Sequence, residues 1–284
     1  LVDVCRKGVE ERDWVHYGLF VTYFPHLVAG PVLHHGQMMP QFRDPASYRW
    51  RLDNFAAGLA IFLLGLFKKI VLADGISPFA DAVFNAADAG ELPTLQEAWL
   101  GAIAYTLQLY FDFSGYSDMA IGLSLMLNIR LPFNFNSPYR ALNISDFWRR
   151  WHISLSSFLR DYLYIALGGN RRGNLRRYAN LLATMVLGGL WHGASWSFVL
   201  WGALHGIYLV VHQAWRRLRG ETANAAAARP LVRLACWGLT MLAVVLGWVL
   251  FRATTLDGVS GMLAALTGLA PSGPTDASFW NQGL

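Results

Sequence analysis

The sequence predicts an all-α protein, a polytopic membrane helical bundle, and three observations carry that prediction. Of 284 residues, 55% are hydrophobic and 14% charged, against roughly a quarter charged in soluble domains. Several apolar runs approach the about 20 residues that a helix needs to cross a hydrocarbon core. The basic residues gather in short segments between those runs, as they do in the cytoplasmic loops of membrane proteins. The same composition excludes a disordered chain and a basic nucleic-acid-binding domain, so no nucleic-acid partner is expected. Twelve Trp and eleven Tyr suit wide contact at the membrane interface. Two cysteines, Cys5 and Cys236, are too few for a disulfide framework or a thiolate metal site. The chain opens on Leu1 without a cleavable secretory signal. It is expected to be part of a longer one, residues 1–284 forming a single, partial transmembrane domain.

Val15–Leu33 is apolar but broken by Pro25, Gly30 and Pro31. It reads as short, kinked or re-entrant, a form tolerated where backbone is buried in protein. Leu52–Ala73 fits a span, with Lys68 and Lys69 near its end able to snorkel. Trp99–Leu127 is longer and carries Asp112 and Asp118. Leu142–Gly168 mixes Phe147, Trp148, Trp151, Leu155, Phe158, Leu159, Tyr162 and Leu163 with Arg149, Arg150, Arg160 and Asp161. Its apolar positions recur at three- and four-residue steps, which predicts an amphipathic helix, capped by Asn143 or Ser145, in the interface or along a wet cavity. Tyr178–Trp191 and Trp196–Trp215 form two apolar runs joined by the short His192–Ser195 link, and Leu231–Phe251 is a further span. Gly258–Ala270 is too short to span unaided. Ala223 and Ala225–Ala228 mark a linker.

Topology follows from GGNRRGNLRR (Gly168–Arg177) and WRRLR (Trp215–Arg219), both expected on the cytoplasmic side. Two runs join them, so the chain crosses and returns. His192 then lies about 15 residues, or roughly 22 Å of helix, from the nearer basic segment, inside or toward the far half of a core about 30 Å thick. His205 lies roughly 16 Å deep, counted from Arg216.

Four constellations carry polar chemistry. Gly188–Trp196 holds His192 between small residues, with G-x-x-x-G spacings at Gly189/Gly193 and Gly202/Gly206 that let helices approach closely. Each of His192 and His205 either hydrogen-bonds across a packed bundle or serves chemistry, for which imidazole is the natural general base. Phe147–Ser156 places His152 one turn from Ser156, within reach of a hydrogen bond. Arg149 and Arg150 either hold an anionic group or form a basic helix on lipid headgroups. Tyr110–Asp118 sets Asp112, Ser114, Tyr116 and Asp118 in an apolar run, as a channel wall, a proton path or an ion pair to an arginine such as Arg140 or Arg149. Pro25–His35 brings His26, His34 and His35 together without a matching carboxylate or thiolate spacing, so a solvent-facing turn is expected and no metal. No P-loop, H-E-x-x-H, G-x-S-x-G or dinucleotide fingerprint occurs.

TYFPHLVAGP (Thr22–Pro31), FDFSGYSDMAIG, NFNSPYR, DFWRRWHISLSSFLRDYLYIALGGNRRG and LGGLWHGASWSFVLWGALHG follow one another in this order. Together they resemble the membrane-bound O-acyltransferase superfamily, and within it the bacterial branch that acetylates exported polysaccharides such as alginate. The likeness runs from about Tyr17 to Trp215, with a weaker tail. It implies a multi-pass enzyme of the bacterial inner membrane, with interfacial and re-entrant helices around a central funnel. It implies no bound cofactor, a cytoplasmic thioester donor such as acetyl-CoA, and as acceptor an exported polysaccharide or a periplasmic acetyl-carrying protein. The superfamily's near-invariable His falls on His192. Its second site position, often His or Asn, falls on His152. His192 is then expected to be general base, and His152 to orient the acyl group, relay the proton or stabilise the oxyanion. Asp112, Ser114, Tyr116 and Asp118 would line or brace the channel, with Trp151 and Trp191 helping to keep it dry. Ser156 and Ser195 are candidate acyl-enzyme positions. Rival readings are a proton-coupled transporter, with the same acids and histidines as relay, and an export-complex scaffold.

Overall fold

A computed structural model of the chain describes residues 13–27, 30–219 and 229–269. Cys5, the alanine-rich linker and the C-terminal Trp280–Leu284 lie outside them. Among the described residues every regular element is helical and there is no strand.

The N-terminal segment is kinked as its prolines require. Helix α1 (Trp14–Thr22) starts where the Asp13 carboxylate accepts from the Val15 amide, and it gives way to a 3₁₀ turn, Phe24–His26, opened around Pro25. Helix α2 (His35–Arg43) follows. Helix α3 (Leu52–Phe67) passes through π-helical turns at Lys68–Ala73 into α4 (Asp74–Asp88), a continuous run of 37 residues. Helix α5 (Leu95–Met126) starts at a capping box in which Thr94 and Glu97 satisfy one another's amides. At 32 residues it is about 48 Å long. Two short helices come next, α6 (Ile144–Arg150) and α7 (Ile153–Phe158), then π-helical turns at Leu159–Tyr164. Helices α8 (Gly173–His192) and α9 (Trp196–Arg219) form a hairpin, followed by α10 (Pro230–Arg252) and α11 (Leu256–Leu266).

Two helical runs, Leu52–Asp88 and Pro230–Arg252, are long and apolar enough by themselves to cross a membrane. Their flanks leave Leu63, Leu64, Phe67 and Ile70 exposed on the first and Leu231, Leu234 and Leu239 on the second. Helix α8 has 20 residues, about 30 Å, which equals a hydrocarbon thickness. It exposes Leu187 and Leu190, while α9 exposes Ile207 and Val211.

Glycines set the closest helix approaches. Gly58 faces Gly122 and Gly65 faces Gly115 across α3 and α5, and a Cβ on any of them would run into the opposite backbone. Gly189 and Gly202 do the same for α8 and α9, where a Cβ on Gly202 would strike the Met185 carbonyl. The hairpin sets the Arg217 guanidinium over the Tyr178 ring at 5.9 Å. Both arginine-rich segments therefore meet at one end of α8 and α9, as the charge pattern requires.

The main core is aromatic. Phe147, Trp151, Trp201 and Trp248 are almost wholly buried between α5, α6, α9 and α10. A smaller cluster of Tyr23, Met38, Met39 and Phe42 packs on the C-terminal end of α5 around Ile121.

Candidate functional site

The amphipathic segment expected as one helix is two, and the break is the centre of the site. Asn143 caps α6, its side-chain oxygen accepting from the Asp146 amide at 2.8 Å. The helix ends at Trp151, and His152 takes a left-handed backbone, φ 44°, before α7 begins. Among non-glycine residues, Asn, Asp and His are the types enriched there. Such a backbone persists where its surroundings over-determine it, and an extended segment does so here. The Asn136 amide donates to the Arg150 carbonyl at 2.9 Å, and the Ile153 amide donates to the Asn134 carbonyl at 2.9 Å. The helical periodicity is real on both sides, but these bonds from outside replace the helix's own ladder at the junction.

His152 is buried and held by hydrogen bonds. Its Nδ1 lies 3.1 Å from Asn134 Oδ1, and the same oxygen accepts from the Ser154 amide at 3.2 Å and the Ser154 hydroxyl at 2.9 Å. The Val32 amide donates to Ser154 Oγ at 2.9 Å, and Asn134 Nδ2 donates to Ser117 Oγ at 3.2 Å. The Phe113 ring meets the imidazole edge to face, 4.7 Å between centroids. The expected His152–Ser156 side-chain bond does not form. Ser156 Oγ instead donates to the Trp148 carbonyl at 3.2 Å, because a residue one turn into α7 is drawn to the carbonyls that the break frees.

His192 is the last residue of α8 and is half-buried. Aromatic edges hold it: Trp201 at 5.3 Å and 88°, Phe251 at 5.1 Å and 80°, Trp191 at 5.2 Å and 73°. Among the described residues no hydrogen bond commits its ring nitrogens. A run of packed rings joins the two histidine segments: Trp151, next to His152, lies 4.8 Å from Trp248, which lies 6.1 Å from Trp201, the ring against His192. Trp201 separates His192 from His205, which is fully buried and accepts from Trp148 Nε1 at 3.3 Å. Gly247 lies directly against that ring, and His205 Nε2 has no partner among the described residues.

The acids of α5 have partners of another kind than expected. Lys68 Nζ pairs with Asp118 at 2.5 Å, and Lys69 Nζ pairs with Asp112 and Asp74, each at 2.7 Å. Neither acid pairs with Arg140 or Arg149. The Gly65–Gly115 approach pulls the end of α3 onto α5 between the two acids, which brings the ammonium groups to them. Ser114 is buried on the same helix, with no partner for its hydroxyl among the described residues, and Tyr116 is half-buried.

Arg149 and Arg150 both pair with Asp146, at 3.6 and 2.9 Å, and Arg150 also donates to the Asn136 carbonyl. Only Arg149 extends outward, its side chain 70% exposed. Trp151 stands in the aromatic core, 4.8 Å from Trp248 and 5.1 Å from Phe135. Trp191 is largely exposed beside His192. Ser195 receives the Ser197 amide at 3.3 Å at the start of α9. The three N-terminal histidines do not face solvent together. His34 Nδ1 lies 3.3 Å from the Tyr162 hydroxyl, His35 packs edge-on to Phe20 with both nitrogens buried, and His26 stacks near Phe20 and Tyr23. The rings of His26 and His35 pack on Phe20 of α1, while His34 turns to Tyr162. Among the described residues no cluster of metal-ligating side chains forms.

Sequence reasoning missed Asn134, Ser154, Trp148 and Trp201. For Asn134 one signal exists. Phe133-Asn134-Phe135-Asn136 alternates with period two, the mark of an extended segment, and that segment is the one that brackets the break.

The sequence matches known proteins over most of its length. The family described as MBOAT, membrane-bound O-acyltransferase, matches residues 12–249. The chain is 50% identical over 256 residues to the peptidoglycan O-acetyltransferase of Helicobacter pylori, aligning 90% of this chain with 47% of that protein. It is 49% identical over 267 residues to the probable alginate O-acetylase AlgI of Azotobacter vinelandii, 94% of this chain and 50% of that one. Teichoic acid D-alanyltransferase of Streptococcus thermophilus is 29% identical over 228 residues, 75% of this chain and 54% of its own. The chain spans about half the length of the curated relatives it matches.

Proposed function

The chain belongs to the membrane-bound O-acyltransferase family, and we propose that it moves an acyl group, acetyl, from a cytoplasmic thioester such as acetyl-CoA to hydroxyls of an exported polysaccharide. Delivery is direct or through a periplasmic acetyl-carrying protein, and residues 1–284 act as one multi-pass domain of the bacterial inner membrane. Three relatives carry names of the same chemical class, transfer of an acyl group to a cell-surface polymer.

One observation carries the reading: His192 keeps its ring nitrogens uncommitted in an aromatic cage, and packed rings connect that cage through Trp201 and Trp248 to Trp151, the chain neighbour of His152. An imidazole at membrane depth is costly, and here no described bond makes it architectural. His192 takes the proton from the acceptor hydroxyl as that oxygen attacks the thioester carbonyl carbon. The carbon–sulfur bond then breaks, and the leaving thiolate receives the proton. His152 orients the acyl group and relays the proton. Trp151, Trp191, Trp201 and Phe251 exclude water, which strengthens each electrostatic interaction in the site. Ser156 donates its proton to a backbone carbonyl, which favours direct transfer over an acyl-enzyme at that residue, while Ser195 only accepts, from the Ser197 amide. Asp112 and Asp118, paired with lysines, brace the helices beside the site together with Ser114 and Tyr116. That pairing weakens the proton-relay alternative. Arg149 reaches outward to anionic headgroups while Arg150 holds the break.

The test is ester formation by purified protein in lipid vesicles, with labelled acetyl-CoA and an uronate polymer or carrier protein. Transfer that disappears in His192→Ala, at an unchanged level of folded protein, supports the reading. Undiminished transfer overturns it.

A further inference from the structure

Asn134 is 1% exposed, carries no charge and lies outside every helix, yet four side-chain hydrogen bonds converge on its carboxamide. Which end of the amide faces His152 is settled by its other neighbours. The Ser154 backbone N–H can only donate, and it points at the same atom as the imidazole. The Ser154 hydroxyl already accepts from the Val32 amide, so its own proton is directed to that atom as well. The atom is therefore the amide oxygen. At the opposite end, the NH₂ group has the Ser117 hydroxyl to donate to. An oxygen facing imidazole Nδ1 requires that nitrogen to carry the proton.

We infer that Asn134 is a positioning residue that fixes the tautomer of His152, placing the proton on Nδ1 and leaving the lone pair on Nε2. The inference rests on the acyl-transfer reading of His152 and sharpens it. A neutral ring in this tautomer accepts at Nε2 and has no proton there to give, so it serves as acceptor and relay and not as an oxyanion donor. The Ile153–Asn134 backbone bond and the Phe113 edge hold the ring plane, so the amide chooses the nitrogen while the backbone chooses the direction.

The experiment uses the full chain reconstituted in lipid with ring-¹⁵N histidine. Solid-state NMR separates protonated from unprotonated ring nitrogens, and His152→Asn identifies the His152 signals. The expected spectrum has Nδ1 protonated and Nε2 bare. Asn134→Leu loses that preference, and Asn134→Asp, which keeps an oxygen against Ser154 and His152, retains it. In the transfer assay Asn134→Leu lowers kcat by roughly 10²-fold with little change in KM. A proton on Nε2 in the parent, or an unchanged tautomer in Asn134→Leu, overturns the inference. Where Asn134→Leu does not accumulate folded, the parent and Asn134→Asp spectra decide. The expected tautomer together with undiminished transfer by His152→Asn would leave Asn134's effect on the ring intact and overturn instead the role given to His152.

Discussion

Two helix pairs in this protein are built on one packing device and finish differently. Between α3 and α5, glycines face glycines and the polar groups beside the seam are matched: Lys68 with Asp118, Lys69 with Asp112 and Asp74. Between α8 and α9, glycines again bring backbones together, but the seam runs out at His192, which has ring edges around it and no described hydrogen bond. A charge in a membrane helix that has found its counter-ion is accounted for by architecture. A half-buried base whose nitrogens no described hydrogen bond commits is not, since ring-edge contacts alone do not call for an imidazole. The difference teaches where to look for chemistry: at the unmatched group, even though the matched ones are more heavily charged.

Substitutions test that division. The largest effect is expected from His192→Ala, with transfer falling roughly 10²-fold or more and the yield of folded protein unchanged, as read by ester formed per mole. Equal transfer would put His192 on the architectural side with the lysines. Gly202→Val comes next. Its side chain must displace the Met185 carbonyl, so thermal unfolding in detergent should report a loss of about 1–3 kcal/mol, with transfer falling as His192 moves. The corresponding Gly115→Val should cost similar stability by parting α3 from α5.

Smaller effects distinguish paired charge from paired packing. Lys68→Met strands the Asp118 carboxylate, whereas Lys68→Met with Asp118→Leu removes both ions. Because both side chains remain about a quarter exposed, the single change should cost about 1–2 kcal/mol and the double change less. A double variant weaker than the single one would mean the pair contributes net stability. Asp112→Asn should have the least effect, below about 1 kcal/mol, since Lys69 keeps Asp74.

The helices are legible in the sequence because their signal is local. Leu231–Phe251 is apolar but for Arg233 and Thr240 and appears as Pro230–Arg252, and the two arginine-rich segments predict the α8–α9 hairpin that the Arg217–Tyr178 contact displays. The place of His192 at the end of α8 is legible for the same reason, since it is counted along one helix. What sequence hides is pairing at a distance. Nothing near Asp118 announces Lys68, 50 positions earlier. Nothing in the periodicity of Leu142–Gly168 announces a break, because the groups that make it tolerable come from Asn134 and Asn136 in another segment. The sequence offers arginines from later segments, such as Arg140 and Arg149, as partners for the acids of α5. The choice of lysines depends on how closely two glycine faces meet, a fact of packing density and not of composition.

The left-handed turn at position 152 sorts what can stand there by torsion before chemistry has any say. Alanine, valine or leucine would meet their own carbonyl oxygen in that conformation, at about 1–2 kcal/mol, whereas histidine and asparagine are among the few side chains that sit in it with ease. Position 152 is then filled from a menu already shortened by the shape of the chain, with histidine and asparagine on it.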